Sequence, residues 1–417
     1  MTQDGSTRDL LGLSVAIADD LIAVGSPLDY HNGRRTGTVC LFDIATGEQV
    51  VKLQPDEGTD GDYFGEQLAV SGGTIAVGAY GDDTLGDRTG AAYVFDLASG
   101  AQHLRLLPSD GSPEDEFGRS IALGEGIVAA GAYLRDKVGQ DSGCVYLFNS
   151  TTGEEVRQLV PSNGVAGDWF GLSVAIGSSV VAVGAPYADR SGPRSGTVYL
   201  FDITTGTELV ELTPADGAPG EVFGWSVAID GNYVVVGAPA DDDFGYNSGA
   251  TYVFELSSGS LVRKFTADDA SEDARFGTSV ALDRDCMVIG AHYEYGDNEA
   301  GVAYLFDVTT GEQRLKLLQS DGSVGDLFGH AVAVKDNLAV VTAPYDDDNG
   351  RDSGSAYLFD WSCRADLNGD GLLDTRDFLL FLSKWAADDS VADWNDDGVI
   401  NTQDFIAYLN SWTAGCP

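Results

Sequence analysis

Cations are what this sequence has least of. Lysine and arginine number 23 against 66 aspartates and glutamates, leaving a formal charge of -43. A surface this acidic repels nucleic-acid phosphates and anionic membranes, so neither is expected as a partner. It suits a cation-rich extracellular setting, and most of the carboxylates read as solvated loop residues. Histidine is nearly as scarce. His31, His103, His292 and His330 include no pair with metal-ligand spacing. Five cysteines do not make a disulfide framework. Cys40, Cys144 and Cys286 lie in strand-like segments and are expected to be small buried thiols. Cys363 and Cys416 bracket the C-terminal stretch, where a disulfide is plausible in an exported protein. No apolar run is long enough to span a bilayer, and MTQDGSTRDLLG lacks the basic and apolar regions of an export signal. Signs of catalysis are missing too. DSG at Ser142 and Ser353 occupies a slot that holds SG, TG or AG elsewhere, which makes it a turn and not a nucleophile. Carboxylate pairs of the glycosidase kind arise by chance among so many acids. Enzymatic activity is not expected.

Glycine, by contrast, is abundant at 54 residues, as a fold with many tight turns requires. Its placement is periodic. Gly12, Gly65, Gly118, Gly171, Gly224, Gly277 and Gly329 are separated by steps of 53, 53, 53, 53, 53 and 52 residues. Thirteen residues after each anchor comes a second signature: GSP at Gly25, GAY at Gly78 and Gly131, GAP at Gly184 and Gly237, GAH at Gly290. The seventh copy has TAP, with Thr342 in the glycine slot. So strict a period means one supersecondary unit stacked on itself.

The fourth copy reads as four antiparallel strands. GLSVAI alternates small and apolar residues, VVAVGA is apolar throughout, GTVYLF alternates again with aromatics, and ELVELTP carries Glu208 and Glu211 on a wetter outer strand. One such sheet cannot bury its own faces, whereas seven arranged radially cover one another. An all-β, seven-bladed propeller over residues 1–361 is expected, followed by a small helical domain over 362–417. Outer strands are expected at 48–55, 101–108, 154–161, 207–214, 260–267 and 312–319. The seventh copy runs out at Phe359 and Asp360 with no such strand. Because TQDGSTRDLLG aligns with QSDGSVGDLFG inside a repeat, the missing strand is expected from residues ahead of Met1, behind an export signal.

The FG at each anchor, the GAP thirteen residues on and the closing VYLF resemble FG-GAP repeats, known from the propeller of integrin α subunits. The resemblance covers residues 9–360. It implies a binding or adhesion propeller, without the integrin-type DxDxDG calcium cage: the links between the first two strands are ADD, SGG, GEG, GSS, DGN, DRD and KDN.

The loops joining strands two and three, and those joining strand four to the next copy, should emerge on one face of the disc. They hold Asp82, Asp83, Asp241, Asp243, Asp346 and Asp348, interleaved with Tyr80, Tyr133, Tyr187, Tyr246, Tyr293, Tyr295 and Tyr345. Acids among aromatics can bind a sugar, a protein or a cation. Asp62, Asp115, Asp168, Glu221 and Asp326 recur two residues before the phenylalanine, which favours a turn-capping role.

After Trp361 the pattern changes. DLNGDGLLDTRD and DWNDDGVINTQD lie 27 residues apart. Each offers oxygens at positions 1, 3, 5, 7, 9 and 12 of a twelve-residue loop with glycine at 6, as an EF-hand-type loop wraps calcium. The candidate ligands are Asp366, Asn368, Asp370, Leu372 (carbonyl), Asp374 and Asp377, then Asp393, Asn395, Asp397, Val399 (carbonyl), Asn401 and Asp404. An amphipathic helix follows each loop, none precedes it, and Asp closes it. This stretch resembles a dockerin, the duplicated calcium module that docks secreted bacterial proteins onto cohesins. The resemblance implies two calcium ions and a cohesin-like partner.

The sequence therefore leads to an exported, monomeric, non-catalytic protein at the cell surface or outside the cell. Its propeller face is expected to bind a glycan or protein ligand and its tail to tether it. The competing expectation is a component of a polysaccharide-degrading enzyme system.

Overall fold

A computed structural model describes residues 7–31, 33–214, 216–292, 300–362, 365, 367, 373–387, 389–395 and 398–414. The chain divides into two compact units, Met1–Leu358 and Phe359–Pro417. In the first, each repeat folds as a meander because its alternating segments are separated by tight glycine turns. The fourth blade has an inner strand Ser173–Gly177, a second strand Val180–Ala185, a third strand Thr197–Asp202 and an outer strand Glu208–Leu212, all antiparallel. Gly206, in the left-handed region at φ +69°, makes the third-to-outer turn, and Asp202 accepts the Thr205 N–H at 2.6 Å there. Six sheets have four strands each. Among the described residues the seventh has three: Val332–Lys335, Leu338–Ala343 and Ser355–Asp360. Inner strands touch in succession, and the seventh touches the first. The propeller is closed by contact.

The FG pair explains itself in this packing. Phe64, Phe117, Phe170, Phe223, Phe276 and Phe328 are at most 1% exposed. Each meets the third-strand tyrosine of its own blade, with ring centroids 5.4–5.7 Å apart. Each also donates its backbone N–H to the loop of the preceding blade, as Phe170 does to Ser142 at 3.2 Å. The hydrophobic clusters accordingly span pairs of blades.

The GAP glycine answers a second demand. A Cβ at Gly25, Gly78, Gly131, Gly184, Gly237 or Gly290 would lie 2.0–2.1 Å from the anchor-glycine carbonyl oxygen of the next blade. That oxygen accepts the hydroxyl of Ser14, Ser120, Ser173, Ser226 or Ser279 at 2.7–2.8 Å. Burying one phenylalanine contributes about 1.5–3 kcal/mol, and one such hydrogen bond about 1 kcal/mol net. Apolar contact therefore holds the blades together, while the serine and glycine fix their spacing. Blade 7 inverts the arrangement. Ala331 stands in the serine slot, and Thr342 in the glycine slot bonds the Ala331 N–H and carbonyl through its own Oγ1 at 3.1 and 3.2 Å.

The cysteines differ in one respect from expectation. Cys40 and Cys144 are fully buried, and burial pushes the Cys144 thiol up to about 12. Cys286 begins a second strand, is only half-buried, and receives the Arg314 guanidinium at 3.6 Å. The strand's first residue lies at the far end of the sheet, beyond the full cover of the neighbouring blade.

The second unit holds two helices, α1 (Thr375–Ala386) and α2 (Thr402–Ala414). Phe381 of α1 stacks on Tyr408 of α2 at 3.9 Å with parallel planes, and Trp394 packs edge-on against both.

Gly184→Ala should cost about 1–3 kcal/mol, because its methyl group meets a backbone carbonyl that cannot retreat. Gly220→Ala, left-handed at φ +94° where Gly184 is not, but with open space around it, should cost less. Urea midpoints of the two variants check this. Equal losses would mean that the carbonyl contact does not set the blade spacing.

Candidate functional site

Inner strands run away from the FG turns, and second strands return to the same face. The loops between strands two and three and the loops between blades therefore share that face, as the strand directions require. There the FG pair occupies the centre of a tight turn. In blade 4 the Leu172 N–H donates to the Trp169 carbonyl at 3.2 Å, and the same bond recurs in blades 2, 3, 5, 6 and 7. The residue opening the turn is left-handed in every blade: Leu10, Tyr63, Glu116, Trp169, Val222, Arg275 and Leu327 have φ of +52° to +56°. The residue closing it is Leu13, Glu66, Arg119, Leu172, Trp225, Thr278 or His330. These closing residues line the axial cavity, which measures about 390 Å³ and touches the inner strands of all seven blades.

The two slots fill unevenly around the ring. Across blades 2 to 4 they build a continuous aromatic and arginine array. Tyr63 stacks on Tyr80 at 4.9 Å, and Arg88 and Arg119 lie over the Tyr80 ring at 5.4 and 5.3 Å. Tyr133 meets Trp169 at 5.1 Å, Trp169 meets Tyr187 at 4.2 Å, and Arg194 covers Tyr187 at 5.1 Å. The charges inside the array are closed on themselves. Arg119 pairs with Glu66 at 2.9 Å, and Arg88 pairs with Glu116, which also bonds Tyr133. Burial pushes the Glu66 carboxyl up, and the Arg119 guanidinium opposes that shift. Such a surface is aromatic, polar and nearly neutral, on a protein that is otherwise strongly anionic.

Blades 6 and 7 contribute two histidines, His292 and His330, with rings 5.5 Å apart. Burial depresses His330 to about 4, helped by Arg119. It depresses His292 to about 3, helped by His330 and Arg275. Both are neutral imidazoles at physiological pH.

Seven segments match the FG-GAP repeat family: residues 1–42, 48–95, 101–148, 154–201, 207–254, 260–306 and 312–359. The chain belongs to this family. No curated protein gives a significant match. From the second onward, each FG-GAP repeat begins with the outer strand of one blade and ends with the third strand of the next. The repeat thus straddles the joint between blades, which is where its signature residues act.

The residues singled out from the sequence divide into three groups on the FG-GAP propeller. Tyr133 and Tyr187, with Tyr80, converge on the array. Asp82, Asp241 and Asp346 are at most 2% exposed and accept the third-strand tyrosine hydroxyls of Tyr93, Tyr252 and Tyr357 at 2.8, 2.9 and 2.6 Å. Burial opposes ionisation of Asp82, but bonds from Thr84, Arg105 and Tyr93 hold it below the usual carboxylate range. Asp83, Asp243, Asp348, Tyr246 and Tyr345 stand apart on the exposed rim. Tyr293 and Tyr295 lie outside the described residues. The turn-capping acids behave as such. Asp62, Asp115, Asp168 and Asp326 each accept the N–H three residues earlier at 2.6–3.0 Å. Ser142 and Ser353 bond their own loops.

Of the twelve loop oxygens in the tail, those of Asp366, Asn368, Asp370, Leu372 and Asp397 lie outside the described residues, as do Cys363 and Cys416. In the second loop Gly398 is left-handed at φ +79° and donates to Asp393 at 2.8 Å. Asp404, fully buried, gathers the N–H groups of Trp394, Asn395 and Asn401 at 2.7–3.1 Å. Both ends of the loop thus converge on one carboxylate. Val399 is exposed, and Asn401 caps α2 through the Gln403 N–H at 2.8 Å. In the first loop Asp374 and Asp377 form a capping box on α1. Among the described residues no three acidic, histidine or cysteine side chains converge as a metal cluster.

Trp169, Tyr63, Glu66, Arg119, Trp225 and His330 escaped the reading of the sequence. The signal was there, in two slots that change chemistry from copy to copy beside an almost constant FG.

The histidines give the mouth a pH signature. Their folded pKa values lie below the ordinary 6.5, so between pH 6.5 and 4 the unfolded chain binds protons that the folded ring refuses. Stability should fall as pH drops through that window. His292→Gln combined with His330→Gln should flatten the slope of melting temperature between pH 6.5 and 4. An unchanged slope would place the buried imidazoles elsewhere.

Proposed function

We propose that this FG-GAP protein is an exported, non-catalytic binding protein whose channel mouth takes a glycan. One observation carries the reading: the array from Tyr63 to Arg194, which reaches the mouth of about 390 Å³ on one side through Glu66, Arg119, Tyr133 and Trp169. That volume falls within the range of small-ligand sites. Ring faces of Tyr133, Trp169 and Tyr187 suit the apolar faces of sugars. The paired Glu66–Arg119 and Arg88–Glu116 groups offer acceptors and donors to hydroxyls without a net charge to neutralise. Glycoside hydrolysis would require two carboxylates flanking a bond. Among the described lining residues Glu66 is the one carboxylate, and an arginine holds it, which favours binding over cleavage.

The tail is proposed to be a dockerin-like calcium module that tethers the propeller to a cohesin-like partner at the cell surface. The left-handed Gly398 and the N–H cage around Asp404 support this. Residues Asp393, Asn395, Val399 and Asn401 would hold one ion with Asp397, and the loop at residues 366–377 a second. The protein is taken to act as a monomer outside the cell, consistent with its acidity.

A glycan array probed with the 417-residue protein, followed by titration calorimetry, tests the mouth. Trp169→Ala should weaken any hit by about tenfold or more, whereas Tyr246→Ala on the rim should not. Absence of glycan binding, or hits indifferent to Trp169→Ala, would sink the assignment. For the tail, chelation should remove the helical signal and low-temperature melting of residues 359–417 while the propeller transition stays in place. Helices whose circular dichroism ignores both chelator and added calcium would refute the module.

A further inference from the structure

Each FG turn leans on a further position, in the loop of the preceding blade. Arg88, Asp141, Arg194, Asn247 and Asp352 stand there, left-handed at φ +47° to +55°. Each carbonyl accepts the N–H of the residue that opens the next blade's turn, at 3.0–3.3 Å. Backbone bonding therefore sets two variable side chains next to each other at every such joint. Where blade 2 meets blade 3, they are Arg88 and Glu116, and they form an ion pair. Where blade 4 meets blade 5, they are Arg194 and Val222, joined by the same 3.1 Å backbone bond. Valine offers no acceptor.

Arg194 is exposed and lies over the Tyr187 ring at 5.1 Å. The neighbouring Asp189 gives one carboxylate oxygen to the Arg194 backbone N–H at 2.8 Å. Among the described residues no carboxylate pairs with the Arg194 guanidinium. The other charges of the array cancel, Glu66 against Arg119 and Glu116 against Arg88. One positive charge is left over, on rings that lead from Tyr187 through Trp169 to the axial cavity. Elsewhere the few cations are spent on buried carboxylates, as Arg105 is on Asp82 and Lys264 on Asp241. Arg194 has no such duty. An aromatic face beneath a guanidinium removes water from one side and leaves a planar fork of N–H donors, which matches a two-oxygen anion.

We propose that the glycan taken by the mouth is acidic, and that Arg194 holds the carboxylate of one sugar whose neighbour stacks on Trp169. The inference rests on the reading of the mouth as a glycan site and narrows it to a ligand class. The rest of the surface limits how acidic that ligand is. Asp83 and Asp243 stand on the exposed rim of a protein with a formal charge of -43. A polyuronate would lay further carboxylates against those acids, whereas a single acidic sugar among neutral ones meets the arginine alone. Recognition is therefore of an isolated carboxylate.

The test is a panel of immobilised oligosaccharides, each with one glucuronate, galacturonate or terminal sialate among neutral sugars, printed beside its carboxyl-reduced counterpart. The 417-residue protein should bind at least one acidic member about fivefold or more tighter than the reduced form, and an oligogalacturonate less well. Which member is preferred separates in-chain uronates from terminal acids. Arg194→Gln should erase the ratio between acidic and reduced forms. Val222→Glu, which gives Arg194 the partner that Arg88 already has, should erase it too while leaving the arginine in place. Equal binding of acidic and reduced forms, with both weakened by Trp169→Ala, would overturn this proposal and leave the glycan reading standing. An acid preference that survives both Arg194→Gln and Val222→Glu, or tighter binding of the oligogalacturonate, would overturn it as well. Binding of no member would sink both.

Discussion

At the joints between blades, backbone meets backbone. At six joints the carbonyl of one blade's anchor glycine occupies the place where a side chain would begin on the glycine of the blade before it. A ring of sheets closes only if every joint turns through the same angle, and an added methyl at one joint must be absorbed by the others. The FG phenylalanine provides most of the attraction across the joint. Alone it would permit a range of spacings, since apolar contact is not directional. The serine hydroxyl and the bare Cα remove that freedom. At the seventh joint the same task is divided differently: Thr342 brings a hydroxyl and a methyl where the others have none, Ala331 gives up its hydroxyl, and the bond is made within the blade.

Acidity looks different once the charges are placed. Many carboxylates are structural: they cap the turns before FG, hold the turns between third and outer strands, or receive tyrosine hydroxyls. A buried carboxylate is tolerable when it is hydrogen-bonded and paired, and the scarce cations go to that work. Lys52, Arg105, Arg190 and Lys264 all reach acids that are mostly hidden. Exposed pairs such as Arg284–Asp336 are worth little by comparison. Arginines at the mouth, stacked on rings in a chain so poor in cations, are therefore more informative than the abundance of aspartate.

Much of the fold was legible in the sequence because a period is a geometric statement. The alternation in Thr197–Asp202, the wholly apolar Val180–Ala185 and the wet Glu208–Leu212 name their own positions in a blade, and the seventh copy's third strand was readable from the pattern that ends at Phe359 and Asp360. The site was harder. Acid-rich loops drew attention to Asp82, Asp241 and Asp346, but each points inward to a tyrosine eleven residues later in the chain. No local pattern marks a contact across a sheet. Trp169 and Tyr63 were equally hard to place, because a bulky residue in the left-handed region is unfavourable in isolation. The FG turn imposes it, and the imposed angle places Trp169 at the axial cavity and Tyr63 against Tyr80.

The same turn explains how the propeller can specialise without losing its ring. The residues that must not vary, the phenylalanine, the two glycines and in five blades the serine, all face the joint. Of the residues flanking them, the seven that close the turn line the axial cavity, together with Trp169 among those that open it. Changing Trp225 alters chemistry at the opening and leaves the glycine contact of the joint alone, whereas Glu66 also pairs with Arg119 of the next blade. Symmetry of the frame and asymmetry of the mouth are therefore two consequences of one four-residue turn. Blades 2 to 4 have used that freedom to collect aromatic rings and arginines, and blades 6 and 7 to set two neutral imidazoles side by side.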